Sequence, residues 1–459
     1  MKVKRIFVCN SCGEQFTKWQ GKCPSCGNSG TIEESEAPSV SSSVHTKDNK
    51  FDIWAGEKSK VVKLSQVNSK EVFRYSSGIK ELDRVLGGGL VTGSVIILGG
   101  DPGIGKSTIL LQVVDNLASQ NIPCLYITAE ESSQQIENRA ARLNLNREKI
   151  DVYAENKLEN ILDELSKRRP KFAVIDSIQT IYTDTLTSAP GTVSQVKDCS
   201  AFITRIAKTL GITIILVGQV TKDGALAGPK VFEHIVDTSL FFEGDSQSVY
   251  RLIRATKNRF GAVNEIGAFE MTADGLLSVD NPSAMFLSED KQSSPGSCVF
   301  IMQEGQRPML IELQALVDDS NFGNPRRSVV GVDYNRLSMV IAVLHKHGGV
   351  SCADQDVYLN AVGGVKAIET AADLPICMAM ISSIRNETLP SDVACFGEIG
   401  LTGEIRPVLK ADDRIREAIN MGYKRIILPM RNIPKKPSPE IKYIGVKSMS
   451  QLLSVLKEL

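Results

Sequence analysis

No stretch of this 459-residue chain approaches the ~18 uninterrupted apolar residues that a membrane-crossing helix needs, so no membrane span is expected. The opening MKVKRIFVCNSC carries no apolar signal-peptide core, which makes the cytoplasm the expected location. Excess charge is missing too: 53 Lys and Arg balance 53 Asp and Glu. That balance excludes a uniformly basic nucleic-acid binder and leaves room for a local basic channel only. Aromatics are sparse at 6%, while 42% hydrophobic and 23% charged residues suit an ordinary soluble globular protein. Without an export signal, ten cysteines do not make a disulfide framework. Six of them (Cys124, Cys199, Cys298, Cys352, Cys377 and Cys395) are scattered through apolar segments and read as small core residues. A single core stops growing at roughly 250–300 residues, so two or three domains are expected.

What is present divides the chain. Four cysteines crowd residues 1–30, and a stretch rich in Ser, Glu and Lys makes 31–70 a linker. From about Val72, apolar runs such as Cys124–Thr128, Phe172–Ile175 and Thr213–Val217 alternate with helical patterns. This predicts an α/β core over 71–283 with a mostly parallel sheet. Residues 284–297 read as a second linker, and 298–459 as a further α/β domain.

The strongest local signal is Gly100-Asp101-Pro102-Gly103-Ile104-Gly105-Lys106-Ser107, followed by Thr108. It fits G-x-x-x-x-G-K-[ST] between the strand SVIILG and the helix STILLQVVDNL. Glycines let backbone N–H groups curl around phosphates at a helix N-terminus; the lysine reaches the β and γ phosphates and Ser107 coordinates Mg²⁺. ATP binding is therefore expected. Asp176 ends an apolar strand, where a carboxylate beside such a loop serves Mg²⁺, the alternative being a helix cap. Glu130 and Glu131 follow another strand. Glu130, first after it, suits a general base that orients the attacking water, whereas Glu131 suits a helix start with Ser132 and Gln135 at capping-box spacing. Gln219 closes Thr213–Val217 and could sense the γ-phosphate.

Cys9-x2-Cys12 and Cys23-x2-Cys26 are separated by ten residues. Two such knuckles close a tetrahedral Zn²⁺ site, and four protein ligands make it structural. Trp19, Lys18 and Lys22 between them would suit contact with DNA or with a partner protein. Arg251, Arg254, Lys257 and Arg259 form a dense basic cluster. It could supply an arginine finger to a neighbour's ATP, contact DNA phosphates, or simply be a charged edge strand.

The run from Gly78 through Gly89, with Leu82 and Asp83, resembles the segment that precedes the phosphate loop in RecA/KaiC-class ATPases. Lys257-Asn258-Arg259-Phe260-Gly261 looks like the KNRFG signature of the bacterial RadA/Sms recombination and repair family. Gly397–Pro407 and Gly422–Pro429 resemble the Lon protease fold. The resemblance spans the chain and implies a zinc ribbon, a RecA-like ATPase and a Lon-like domain in that order. It also implies a homo-hexameric ring that moves on single-stranded DNA and extends branched recombination intermediates, acting beside a RecA-type recombinase. Lon uses a serine and a lysine. Here the serine turn reads Asp373-Leu374-Pro375-Ile376-Cys377, the lysine slot falls on Asp412, and Lys410 is two residues out of register. An inactive protease fold kept for oligomerisation and DNA contact is expected, with Arg326, Arg327, Arg336 and Lys346 as candidate DNA-facing residues. A KaiC-like regulatory ATPase and an ATP-dependent Lon-like protease are the rival readings.

Overall fold

A computed structural model describes residues 5–9, 15–24, 27, 29–36, 73–219, 234–244, 249–287, 294–320, 325–352 and 354–459. The chain separates into two compact units, Met1–Val279 and Asp280–Leu459.

At the start of the first unit, β1 (Arg5–Cys9) pairs antiparallel with β2 (Gln15–Phe16) and β3 (Ile32–Glu36). A further bridge, Lys22 to Ser29, brackets the second knuckle. Cys9, Cys23 and Ile32 are buried together, with Phe7 and Phe16 packed against them.

The main sheet follows after the short pair β4 (Arg74–Tyr75) and β5 (Leu90–Val91). Its strands are β6 (Val95–Gly99), β7 (Cys124–Thr128), β8 (Val152–Ala154), β9 (Phe172–Asp176), β10 (Thr213–Val217), β11 (Thr238–Glu243), β12 (Tyr250–Asn258), β13 (Ile266–Thr272) and β14 (Gly275–Ser278). Among the described residues the order is β14-β13-β12-β11-β6-β10-β9-β7-β8. The six from β11 to β8 run parallel; β12, β13 and β14 extend the sheet antiparallel. β6, β7 and β10 are buried at every position, as continuous apolar strands covered on both faces must be. Helices α1 (Lys80–Leu86) and α2 (Lys106–Ser119) close one core with Leu82, Val85, Ile109, Val113, Phe242 and Phe269. α3 (Ser133–Arg142) opens on the expected Ser132/Gln135 capping box. α4 (Leu158–Arg168) and α5 (Val193–Leu210) close the other core with Ile161, Leu165, Cys199, Ile203 and Ile206. Parallel strands all end on one edge, so residues following β6, β7, β9 and β10 converge there.

α1 ends at Gly87, with φ +81°, and a Cβ there would lie 2.9 Å from the Gly261 Cα. The KNRFG turn therefore packs backbone to backbone on the glycine run after α1. Asn258 Nδ2 donates to the Val85 carbonyl at 3.3 Å, and Arg74 Nη2 to the Phe260 carbonyl at 2.6 Å.

The second unit holds β15 (Ser297–Glu304), β16 (Arg307–Asp319), β17 (Arg327–Val330), β18 (Gln355–Ala361), β19 (Val393–Cys395), a separate ribbon of β20 (Glu398–Ile399) and β21 (Ile405–Arg406), then β22 (Arg425–Pro429) and β23 (Lys442–Val446). Its sheet order is β17-β18-β16-β15-β19-β22-β23. Helices α6 (Tyr334–Gly348), α7 (Asp373–Arg385), α8 (Ala411–Asn420) and α9 (Met449–Glu458) pack around it. The boundary between units falls a few residues ahead of the expected linker at 284–297. Ser283 and Phe286 are buried in the second unit: Ser283 Oγ donates to Glu417 at 2.8 Å, and the Phe286 carbonyl accepts from Glu312 N. Asn, Pro and Ser there spell a loop, but loop composition does not tell whether the loop is tucked against a sheet. All six scattered cysteines are buried, as core residues should be.

Candidate nucleotide site

The loop between β6 and α2 has Gly100, Gly103 and Gly105 at φ +151°, +75° and +119°. A side chain at Gly100 would meet the Phe242 Cβ at 2.7 Å, so the loop is pressed against β11 there. At Gly103 a Cβ would have nothing within 4 Å, so the loop faces open space there. Asp101, Pro102 and Gly103 are exposed, Thr108 is half-buried, and Ile104 turns inward to anchor the loop in the core. Lys106 Nζ donates to the carbonyls of Gly100 (2.7 Å) and Asp101 (2.8 Å). Burial lowers the ammonium's pKa from the ordinary lysine value, while Asp176, Asp101 and Glu130 oppose that shift.

Ser107 Oγ donates to Asp176 Oδ2 at 2.6 Å, across the gap between α2 and β9. Tyr126 was not expected: its buried hydroxyl donates to the same oxygen at 2.6 Å. Burial and the Asp176 charge push this phenol well above the usual tyrosine range, so it stays protonated and keeps donating. Its only sequence signal was a polar tip inside the apolar run CLYIT.

Glu130 is exposed and accepts from Ser177 Oγ and, at 3.5 Å, from Gln219 Nε2. The Gln219 carbonyl accepts in turn from Gln179 at 3.4 Å. Glu131 is committed elsewhere, pairing with Arg139 at 2.7 Å beside the start of α3. The lysine, hydroxyl and two carboxylates expected from the sequence thus meet at one strand edge. The fit to a nucleotide and Mg²⁺ rests on that edge: an open glycine loop, a buried cation, and a hydroxyl hydrogen-bonded to a carboxylate.

Comparison with known proteins agrees piece by piece. The model of the KaiC ATPase family matches residues 75–161, that of the rubredoxin metal-binding domain residues 7–34, and that of subunit ChlI of Mg-chelatase residues 326–432. A solved KaiC-like protein from Pyrococcus horikoshii is 22% identical, with a TM-score of 0.39, covering 45% of this chain and 99% of its own. The DNA repair protein RadA of Pseudomonas aeruginosa is 51% identical over 100% of both chains. The RadA proteins of Escherichia coli (49%, over 99% of both chains) and Bacillus subtilis (44%, over 98% of both) are also similar throughout. The chain belongs to the RadA family. It is accordingly an ATP-hydrolysing enzyme of RecA-like architecture that uses ATP and Mg²⁺, with a ribbon that takes Zn²⁺ and a ChlI/Lon-like C-terminal domain. Among the described residues no helix is long and apolar enough to cross a membrane.

The zinc ligands are half visible. Cys9 and Cys23 lie buried side by side in a core too small to hold itself together, which is the setting of a metal-stapled ribbon. Cys12 and Cys26 lie outside the described residues.

The basic cluster of the RadA signature is less open than its sequence suggested. Arg251 is 5% exposed and its Nη1 donates to the Tyr250 carbonyl, which corrects its expected place on an accessible patch. Arg251, Leu252 and Ile253 are buried in succession along β12, so this position lies inside the protein. Arg254 is also corrected, since it forms a two-bonded pair with Glu243 at 2.9 and 3.2 Å. Lys257 Nζ donates to the Val236 carbonyl at 2.7 Å. Arg259 alone of the four is exposed, at 50%, and it rests 3.1 Å from Asp237 Oδ1. That carboxylate is a hub, also taking Lys208 at 3.2 Å and the Val95 N–H at 3.1 Å.

In the second unit Arg336 is corrected from a DNA-facing residue to a structural one. Its guanidinium holds both oxygens of buried Asp373 at 2.7 and 2.8 Å. Arg327 spends its donors on the carbonyls of Cys352, Arg326 and Gln355. Arg326 and Lys346 remain exposed. The segment expected as the serine turn is the first turn of α7, with Ile376 and Cys377 wholly buried. Burial also pushes the Cys377 thiol far above its ordinary pKa, so it is no nucleophile. Asp412 is exposed on α8, and Lys410 Nζ donates to the Gly305 carbonyl at 2.7 Å.

Proposed function

We propose that this protein is an ATP-driven motor of recombination and repair in the cytoplasm, translocating on single-stranded DNA and promoting branch migration. The observation that carries the proposal is the meeting of Lys106, Ser107, Asp176 and Glu130 at one sheet edge, in a chain whose full-length relatives are DNA repair proteins. In this reading Lys106 leaves the Gly100 and Asp101 carbonyls to bind the β and γ phosphates, and backbone N–H groups of 100–105 cradle them. Ser107 and Asp176 would hold Mg²⁺, which supplies charge neutralisation on the phosphate oxygens. Glu130 takes a proton from water as its oxygen attacks the γ-phosphorus; the bond to the β-phosphate oxygen breaks, releasing ADP and phosphate. Gln219, bonded to Glu130, carries the state of that carboxylate to the end of β10.

Arg259, helped by Lys257, acts on a neighbour's nucleotide or on DNA from the KNRFG turn, within a homo-hexameric ring. The ring works beside a RecA-type recombinase on branched intermediates. The second unit, lacking nucleophile and base, serves oligomerisation and DNA contact, with Arg326 and Lys346 exposed on its surface.

Turnover of ATP measured with and without oligothymidine, beside a three-strand branch-migration assay, tests the reading. Single-stranded DNA should stimulate turnover, and Arg259→Ala should keep ATP binding while lowering branch migration at least about tenfold. If DNA neither binds at low salt nor alters turnover, the KaiC-like regulatory reading replaces this one.

A further inference from the structure

The zinc ribbon presents one large aromatic that the fold does not use. Trp19 is 62% exposed, yet its only polar atom is already bound: Nε1 donates to the Ile32 carbonyl at 3.2 Å. A Trp left in water usually offers its N–H to solvent or to a partner. Here the N–H is tied to the end of β3, which fixes the ring and leaves its π surface outward. Gly21 lies beneath the ring edge; a Cβ there would sit 3.7 Å from the Trp19 benzene ring, so the flank is kept low.

The short segment that carries this ring has charge of one sign. Residues 15–24 contain Lys18 and Lys22 and no acid, and both lysines are exposed. Neither forms an ion pair among the described residues. A fixed, exposed aromatic face with two exposed lysines in the same short segment fits a nucleobase stacked on the ring with backbone phosphates alongside.

We infer that Trp19, with Lys18 and Lys22, forms a single-stranded DNA stacking site on the zinc ribbon, separate from the basic KNRFG turn. This deepens the DNA-motor reading and rests on it.

The full-length protein provides its own probe, because it has only two tryptophans. In a Trp54→Phe background, titration with oligothymidine should quench the remaining indole saturably. Trp19→Ala should weaken oligothymidine binding by about tenfold, the loss of one stacked base, and Trp19→Phe should restore most of it. The pair Lys18→Ala and Lys22→Ala should lower the salt slope of binding by about 0.7 per lysine. DNA-free ATP turnover and a zinc content equal to wild type identify variants that remain folded. Oligothymidine binding to wild type with no quench, and unchanged affinity in Trp19→Ala, would overturn the stacking site while leaving the motor intact. No oligothymidine binding by any form would instead overturn the motor reading itself. Loss of a protein partner with undiminished DNA binding in Trp19→Ala would assign the face to protein and also refute the inference.

Discussion

At the carboxyl ends of β7, β9 and β10 in the first unit, Glu130, Asp176 and Gln219 face one another around a hydroxyl and an ammonium group. In the second unit, α7 opens on Asp373, whose carboxylate is held by two bonds from Arg336 and one from the Ile399 N–H. Arg414 is likewise spent, on Glu369, the Ile301 carbonyl and the face of Phe396. Both regions are α/β and both keep charges near buried strand ends. The difference is in what those charges still have to offer. In the first, Glu130 is exposed and, among the described residues, the hydrogen bonds of Lys106 go to neutral carbonyls that a phosphate can displace. In the second, buried Asp373 and Arg414 each have an opposite partner, and the turn expected to carry a protease nucleophile has buried Ile376 at that place. A charge satisfied by its own domain holds structure; one left with neutral or replaceable partners is available for chemistry.

The largest test of this contrast is Lys106→Ala. It should reduce ATP turnover by roughly a thousandfold or more while the melting of the second unit stays put, because the lysine's structural partners are only two carbonyls. Turnover near wild type would remove the loop from the site. Next comes Arg336→Ala, which strands the Asp373 carboxylate in a site where burial already raises its pKa despite the arginine. The second unit should lose about 3–5 kcal/mol in urea unfolding, with nucleotide affinity of the first unit preserved. A loss under about 1 kcal/mol would mean the pair is not buried in solution and would dissolve the contrast. The smallest effect is expected from Tyr126→Phe. It should raise the Mg²⁺ concentration for half-maximal turnover and lower kcat by about tenfold, since one charge-assisted bond orienting Asp176 is lost. A change in stability with no change in Mg²⁺ dependence would make Tyr126 a core residue only.

Much of this was legible before any coordinates. Gly100–Ser107 specifies its own function because consecutive residues carry the turn, the cation and the hydroxyl, and the Ser132/Gln135 box forms as its spacing predicted. Glu130 is separable from Glu131 by distance from the strand, and the two acids bond differently, Glu130 to Ser177 and Glu131 to Arg139. The fates of the arginines were not legible. Arg251, Arg254, Arg259 and Arg336 look alike in a sequence, but burial within β12 took one inward and carboxylates elsewhere in the chain paired the other three, leaving Arg259 half in water.

The one-dimensional chain by itself determined the glycine-rich loop, the alternating α/β order and the four-cysteine spacing, since each depends on neighbours a few bonds apart. Tertiary structure alone decided that Tyr126 and Ser107 would share an oxygen of Asp176, and that Asp237 would gather Val95, Lys208 and Arg259. Those meetings depend on which strands lie side by side. Strand order is set by packing across the whole sheet, where no short pattern can record it.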